Sequence, residues 1–237
     1  MKKHLKYPRI AIFLCVFFTL IESNSNCTKE NSLEKPKKEF DNPYKKYGII
    51  HNQILGEILA NNNLKGIDKK ELWNIVQKTF EKHEYKTNTK DSISEDQLNA
   101  MEDCINPNPK VFVDSLYSKG FLNVELKTKL DSYVENVLPE DGFSNCYGKL
   151  TDFELSVAND GNISDQSRDF LLGFTGVAKE SAIFWSENNT SKEYSIWIDL
   201  GADGFGFAVF MLLTGGNFVA GVKAAVFFSL LANSYND

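Results

Sequence analysis

The stretch GADGFGFAVFMLLTGGNFVAGVKAAVFFSLLA, residues 201–232, constrains this chain more than any other part of it. Residues 205–222 form a run of eighteen without a charged side chain. A helix made from them has no polar side to give to water, so it must be enclosed by protein or by lipid. Eighteen residues are also close to the shortest run that crosses a hydrocarbon core. Small residues recur four apart: Gly204 and Ala208; Gly216, Ala220 and Ala224; Gly221, Ala225 and Ser229. On a helix this spacing makes a flat strip that another helix can approach closely. Gly215-Gly216-Asn217 is a break that would divide the stretch into two shorter helices. Three readings stay open on the residues alone. The stretch is a hairpin or kinked helix in the protein's own core, a membrane span or insertion hairpin, or a self-association face. Lys223 and Asn217 count against a simple span, because buried charge is costly in lipid. Asp199 and Asp203, ahead of the run, read as a solvated helix face or a cap.

The other end of the chain speaks to compartment. MKKHLKYPR is basic, and the twelve residues IAIFLCVFFTLI that follow are apolar. That run is short for a span and right for a signal peptide. Cys27 comes soon afterwards, in ESNSNCTKEN, at the place where a lipoprotein thiol would be acylated. Cleavage after Ser25 is the rival, since Ser23-Asn24-Ser25 fits the small-x-small rule. Residues 28–42 are polar and charged, without apolar periodicity, as expected of a flexible tether. The expected organisation is therefore a signal peptide at 1–26, a tether at 27–43, a helical domain at 44–193 and an apolar Gly/Ala-rich segment at 194–237.

Within the helical domain, caps, apolar stripes and breakers follow one another. Tyr47, Ile50, Ile54 and Ile58 make one helix face, ended by Asn61-Asn62-Asn63. Asp68 to Glu71, Ser94 to Gln97 and Thr151 to Glu154 have the spacing of capping boxes. Val111, Phe112 and Leu116 mark a short helix closed by Gly120, and Leu126, Leu130, Tyr133 and Val137 mark another. Ser164 can cap a longer helix bearing Phe170, Phe174, Val177 and Trp185. Strict alternation is almost absent, so the expected fold is all-α: a bundle of short helices with an apolar Gly/Ala-rich C-terminal hairpin or helix.

Chemical motifs are scarce. The net charge of −6, with no basic stripe, argues against a nucleic-acid partner. No metal spacing, nucleophile elbow or phosphate-binding loop occurs, so the sequence calls for no catalytic residue, metal or cofactor. Asn159-Asp160-Gly161 has the centre of a calcium loop. With Gly161 as its sixth position, however, Ser156 and Ser167 stand where acidic ligands belong, so a plain turn is expected. A Ser-His-Asp set could assemble from distant positions, although only His51 and His83 remain once the signal peptide is removed. Cys104 and Cys146 are a candidate disulfide in an exported chain, against two buried thiols. His51, beside Asn52, is expected to hydrogen-bond a neighbouring helix.

The segment around Cys27 resembles lipoprotein signals of the Bacteroidota, and Lys29-Glu30 partly matches their surface-export signal. KKYGIIHNQIL, with its Tyr47-Gly48 and His51-Asn52, is similar to a motif near the mature N-terminus of uncharacterised exported helical proteins of that group. Some of those proteins also end in a Gly/Ala-rich apolar segment. The resemblance implies a lipoprotein of the outer membrane or cell surface, with periplasmic or secreted protein as the alternative. Its partners would be the membrane, through acyl chains on Cys27, and a protein partner or a second copy. It implies no particular activity. Two functions follow as expectations: an envelope protein with a binding or structural role, and a membrane-active effector of toxin or bacteriocin type that inserts its C-terminal segment.

Overall fold

The computed structural model of the chain describes residues 40–85, 108–138, 143–188, 196–214 and 216–234. Among the described residues there are eight helices and no strand. They are α1 (Lys45–Asn61), α2 (Lys69–Lys82), α3 (Pro109–Ser118), α4 (Val124–Asn136), α5 (Phe143–Ala158), α6 (Asp165–Asn188), α7 (Ile196–Leu213) and α8 (Phe218–Ser234). The fold is the all-α bundle of short helices that the sequence pattern predicts. The signal region, Cys27, Cys104 and the helix expected after Ser94 lie outside the described residues.

Side chains set most helix starts. Asp68 accepts the Glu71 amide at 2.9 Å, and Asn123 accepts the Leu126 amide at 2.8 Å. Asn108 takes the Lys110 amide at 3.0 Å, with Pro109 in the first turn of α3. Ser164 Oγ takes the Ser167 amide at 3.3 Å at the start of α6. Each cap satisfies an amide that the helix leaves without a partner. Gly120 follows α3 with φ +76°, a left-handed turn that suits glycine.

Two local expectations fail. Thr151 to Glu154 is not a capping box but the interior of α5. The stripe Cys146, Leu150, Phe153 and Val157 is buried along the whole helix, so it runs straight through the box. Thr151 bonds back to the Tyr147 carbonyl at 2.9 Å, and Glu154 turns into the core. On α3 the buried residues are Phe112, Val113 and Leu116, while Val111 is 47 % exposed. The helix is rotated by about one residue from the expected face.

The C-terminal stretch is the core. α7 and α8 pack on each other, and α1, α2 and α6 close around them. Trp73 of α2 reaches Phe210 and Phe227, with ring centres 6.0 and 5.5 Å apart. Phe112 of α3 and Tyr133 of α4 both meet Phe205, at 4.9 and 6.2 Å. Phe207, Ala208, Val222, Ala224, Ala225, Val226 and Leu230 are fully buried. Each large apolar side chain so enclosed contributes about 1.5–3 kcal/mol, which is why two helices with no polar face are stable here. No described helix is long and apolar enough to cross a membrane.

The small residues act as slots for rings rather than as a strip. A Cβ on Gly204 would lie 2.8 Å from Phe174, one on Gly206 2.5 Å from Phe228, and one on Gly221 2.9 Å from Phe207 and Met211. Ala208, Ala220 and Ala224 are buried among the same helices. Gly216 does not belong to that packing. It sits exposed in the turn between α7 and α8 with φ +100°, and Asn217 caps α8 by accepting the Ala220 amide at 3.2 Å. The break expected at this position is therefore where the chain reverses.

Candidate functional site

The interior of the bundle holds a polar node built on Asp203. This residue is not solvated, as its sequence context implied, but fully buried on α7. Its carboxylate accepts hydrogen bonds from the hydroxyls of Ser181 on α6 and Ser229 on α8. It also accepts the indole N–H of Trp185 on α6 at 3.3 Å. His51 of α1, likewise fully buried, places Nε2 at 3.6 Å from Asp203 Oδ2 and 3.3 Å from Ser229 Oγ. Four helices therefore converge on one carboxylate. A bare carboxylate here would be very costly, and these donors are what make its burial tolerable. The side chain of Asp199 lies outside the described residues.

Local sequence explains how α1 reaches the node. A Cβ on Gly48 would fall 2.3 Å from the Gly176 carbonyl oxygen, so α1 and α6 touch backbone to backbone there. One turn on, Asn52 Nδ2 donates to the Glu180 carbonyl at 2.7 Å, and Asn52 Oδ1 lies 2.9 Å from His51 Nδ1. Glycine, histidine and asparagine of the KKYGIIHN segment thus do one job: they dock α1 on α6 and aim the imidazole inward. Burial pushes His51 down to about 4, while hydrogen bonds to Asn52 and the Ala225 carbonyl pull the other way. His51 bonds a neighbouring helix, as its context predicts.

A serine, a histidine and an aspartate do meet, but not as a catalytic triad. In a triad the carboxylate holds Nδ1 and the serine faces Nε2. Here both lie on the Nε2 side, the Ser229 hydroxyl donates to Asp203, and all three side chains are sealed from solvent. The arrangement holds helices together and presents nothing to a substrate. Tyr133 lies near it, fully buried, with a hydroxyl that has no hydrogen-bond partner among the described residues. Burial pushes that hydroxyl's pKa up, and Cys146 and Asp203 add to the effect.

A second buried polar group opens to the surface. Glu154 of α5 pairs with Lys179 of α6 at 2.9 Å, and both are buried. Asn42, just ahead of α1, inserts its amide between them. It donates to Glu154 Oε1 at 2.6 Å and to the Leu172 carbonyl at 2.9 Å. The sequence places residues 40–42 in a tether, yet Asn42 is 5 % exposed. The chain is thus clamped to the bundle before α1 begins. Phe40, Asp41, Lys45 and Glu180 complete the walls of a cleft of about 160 Å³ over this pair. Two ion pairs lie in its walls: Lys179 bonds Glu154, and Lys45 lies 3.5 Å from Glu180.

The remaining candidates are structural. Cys146 is buried in the first turn of α5, while its expected partner Cys104 lies outside the described residues. Asp160 pairs with Lys129 at 2.7 Å and accepts the Asn162 amide at 2.9 Å, which makes the Asn159–Gly161 stretch a turn. No cluster of metal-binding side chains occurs among the described residues. Comparison of the chain with known protein families, with curated proteins and with solved structures returns no match.

Proposed function

We propose that this chain is an exported, lipid-anchored helical protein of the cell envelope with a binding or structural role. The observation that carries the proposal is the N-terminal order of basic residues, twelve apolar residues and Cys27. The fold is compatible with that role. The long apolar stretch is used up as core, so a lipid on Cys27 would be the attachment, and the clamp at Asn42 would root the tether firmly in the domain. Several acyl chains on one cysteine give stable anchoring where one chain would not. The test is fractionation of wild type and Cys27→Ser, with intact mass of the purified protein. Wild type is expected in the membrane fraction, with acyl chains on Cys27, and Cys27→Ser in the soluble fraction. A variant that stays in the membrane, or a wild type without lipid, would overturn the proposal.

The membrane-active reading draws support from one observation. Apart from Asp203, Lys223 and Ser229, the described side chains of α7 and α8 are apolar or glycine, and α1, α2 and α6 close around these helices. On that reading, purified protein would release dye from lipid vesicles. Intact vesicles over a wide range of pH and lipid composition would sink it.

A further inference from the structure

The hydrogen count of the buried node leads beyond either function. The Glu180 carbonyl can only accept, so Asn52 must present its N–H₂ there and its oxygen to His51. That oxygen can only accept as well, so His51 Nδ1 carries a hydrogen. His51 Nε2 then faces Ser229 Oγ at 3.3 Å, and Ser229 Oγ in turn bonds Asp203 Oδ1. These two contacts need two hydrogens, and the Ser229 hydroxyl brings one. The other hydrogen has to reside on Nε2 or on the Asp203 carboxyl. Without it, a lone pair of the imidazole would point at oxygens that have no hydrogen to give.

We propose that the native chain keeps one resident proton on the His51–Ser229–Asp203 line, and that this proton latches the α7–α8 hairpin to α1 and α6. Two arrangements satisfy the count. In one, Nε2–H donates to Ser229 and Ser229 donates to a carboxylate. In the other, a carboxylic acid donates to Ser229 and Ser229 donates to a neutral imidazole. They interconvert by moving both hydrogens along the same line, and the pair titrates as a unit.

A second proton would break the latch, because it puts an imidazolium beside a neutral acid in a sealed interior. Among the described residues, the surroundings offer no spare anion. α7 presents Asp203 itself, and α8 presents Ser229 and the Ala225 carbonyl. α6 presents Ser181, Trp185 and, through Asn52, the Glu180 carbonyl. The Glu180 carboxylate is engaged with Lys45 instead. α4 adds the Tyr133 hydroxyl, and Lys223 of α8 is a further buried cation, lying over the Phe80 ring of α2. Only acid strong enough to add that second proton should therefore loosen the hairpin.

The experiment is a pH titration of the ¹⁵N-histidine-labelled protein by NMR, read together with urea unfolding from pH 8 to pH 4. The His51 ring should show Nδ1 protonated and no ordinary titration step between pH 8 and pH 5, with the second proton entering near pH 4. From pH 6.5 to 4 the folded and unfolded chains each hold one proton on this pair, so the unfolding constant should stay nearly flat there. Raising the pH from 6.5 to 8, where only the folded chain keeps the proton, should increase it on the order of 10-fold. His51→Gln keeps a donor toward Ser229 but cannot titrate, so its unfolding constant should lack this rise. A His51 ring that titrates near pH 6.5 in the folded protein would overturn the proposal. So would a His51→Gln protein whose unfolding constant rises from pH 6.5 to 8 as that of wild type does. If that variant does not fold, the ring titration of wild type decides alone.

Discussion

Replacing Gly48 by alanine should destabilise the protein, although alanine is the better helix former. The added Cβ would lie 2.3 Å from the Gly176 carbonyl oxygen and 2.7 Å from Glu180 Cβ, both on α6. Ordinary contact begins near 3.4 Å, so α1 must retreat by about 1 Å. That retreat would stretch the 2.7 Å bond from Asn52 to the Glu180 carbonyl out of hydrogen-bonding range. Overpacking of this kind costs about 1–3 kcal/mol. The lost hydrogen bond adds about 1 kcal/mol, and the gain in helix propensity returns about 1 kcal/mol. The net loss is therefore about 1–3 kcal/mol. Gly148, exposed on α5 with nothing within 4 Å of where a Cβ would stand, is the control. Gly148→Ala should stabilise by up to about 1 kcal/mol. Urea unfolding followed by circular dichroism at pH 7 measures both. Thermal midpoints should shift in opposite directions, by about 2–4 °C per kcal/mol. A Gly48→Ala protein as stable as wild type would refute the close docking of α1 on α6.

Three further outcomes follow from the buried polar groups. Tyr133→Phe should leave stability unchanged or raise it by about 1 kcal/mol, because the hydroxyl it removes is buried without a partner among the described residues; a clear loss in urea unfolding would show a hydrogen bond there. Lys179→Met should cost about 3–5 kcal/mol by leaving the Glu154 carboxylate buried without its cation. Adding Glu154→Leu to it should recover part of that loss, and a double variant worse than the single one would contradict the pairing. Raising the pH from 6.5 to 8 should remove about 1–2 kcal/mol through the His51–Asp203 pair. The folded pair keeps its resident proton across this range while the unfolded histidine loses its own near pH 6.5, so unfolding releases a proton and is favoured by higher pH. Comparing the pH profiles of wild type and His51→Gln isolates that share.

The helices are legible in the sequence because their signals are local. Asp68 and Ser164 cap as their spacing predicts, and Gly120 closes α3. Hydrophobic spacing places α1, α2, α4 and α6, since an apolar stripe needs only one helix to be read. The node is not legible, because its members come from four separate helices. His51 and Ser229 are 178 positions apart, and neither residue type marks the pairing. The signal that exists is the company Asp203 keeps. An acid leading into a run with no polar face has nowhere to point but inward. Lys223 carries the same signal on α8. Asn42 is hidden for the opposite reason, since its neighbours are polar and look like tether. Glu154 misleads because a capping pattern can fall by chance inside a longer apolar stripe.

Native-state hydrogen exchange across the whole chain at pH 7 tests most directly whether the C-terminal hairpin is the locked core. The account predicts that amides of residues 222–231 in α8, and their neighbours in α7, exchange most slowly, only through global unfolding. Hairpin amides that exchange faster than those of α1 and α6 would contradict it, because the apolar helices would then be a loosely held insert rather than the centre of the fold.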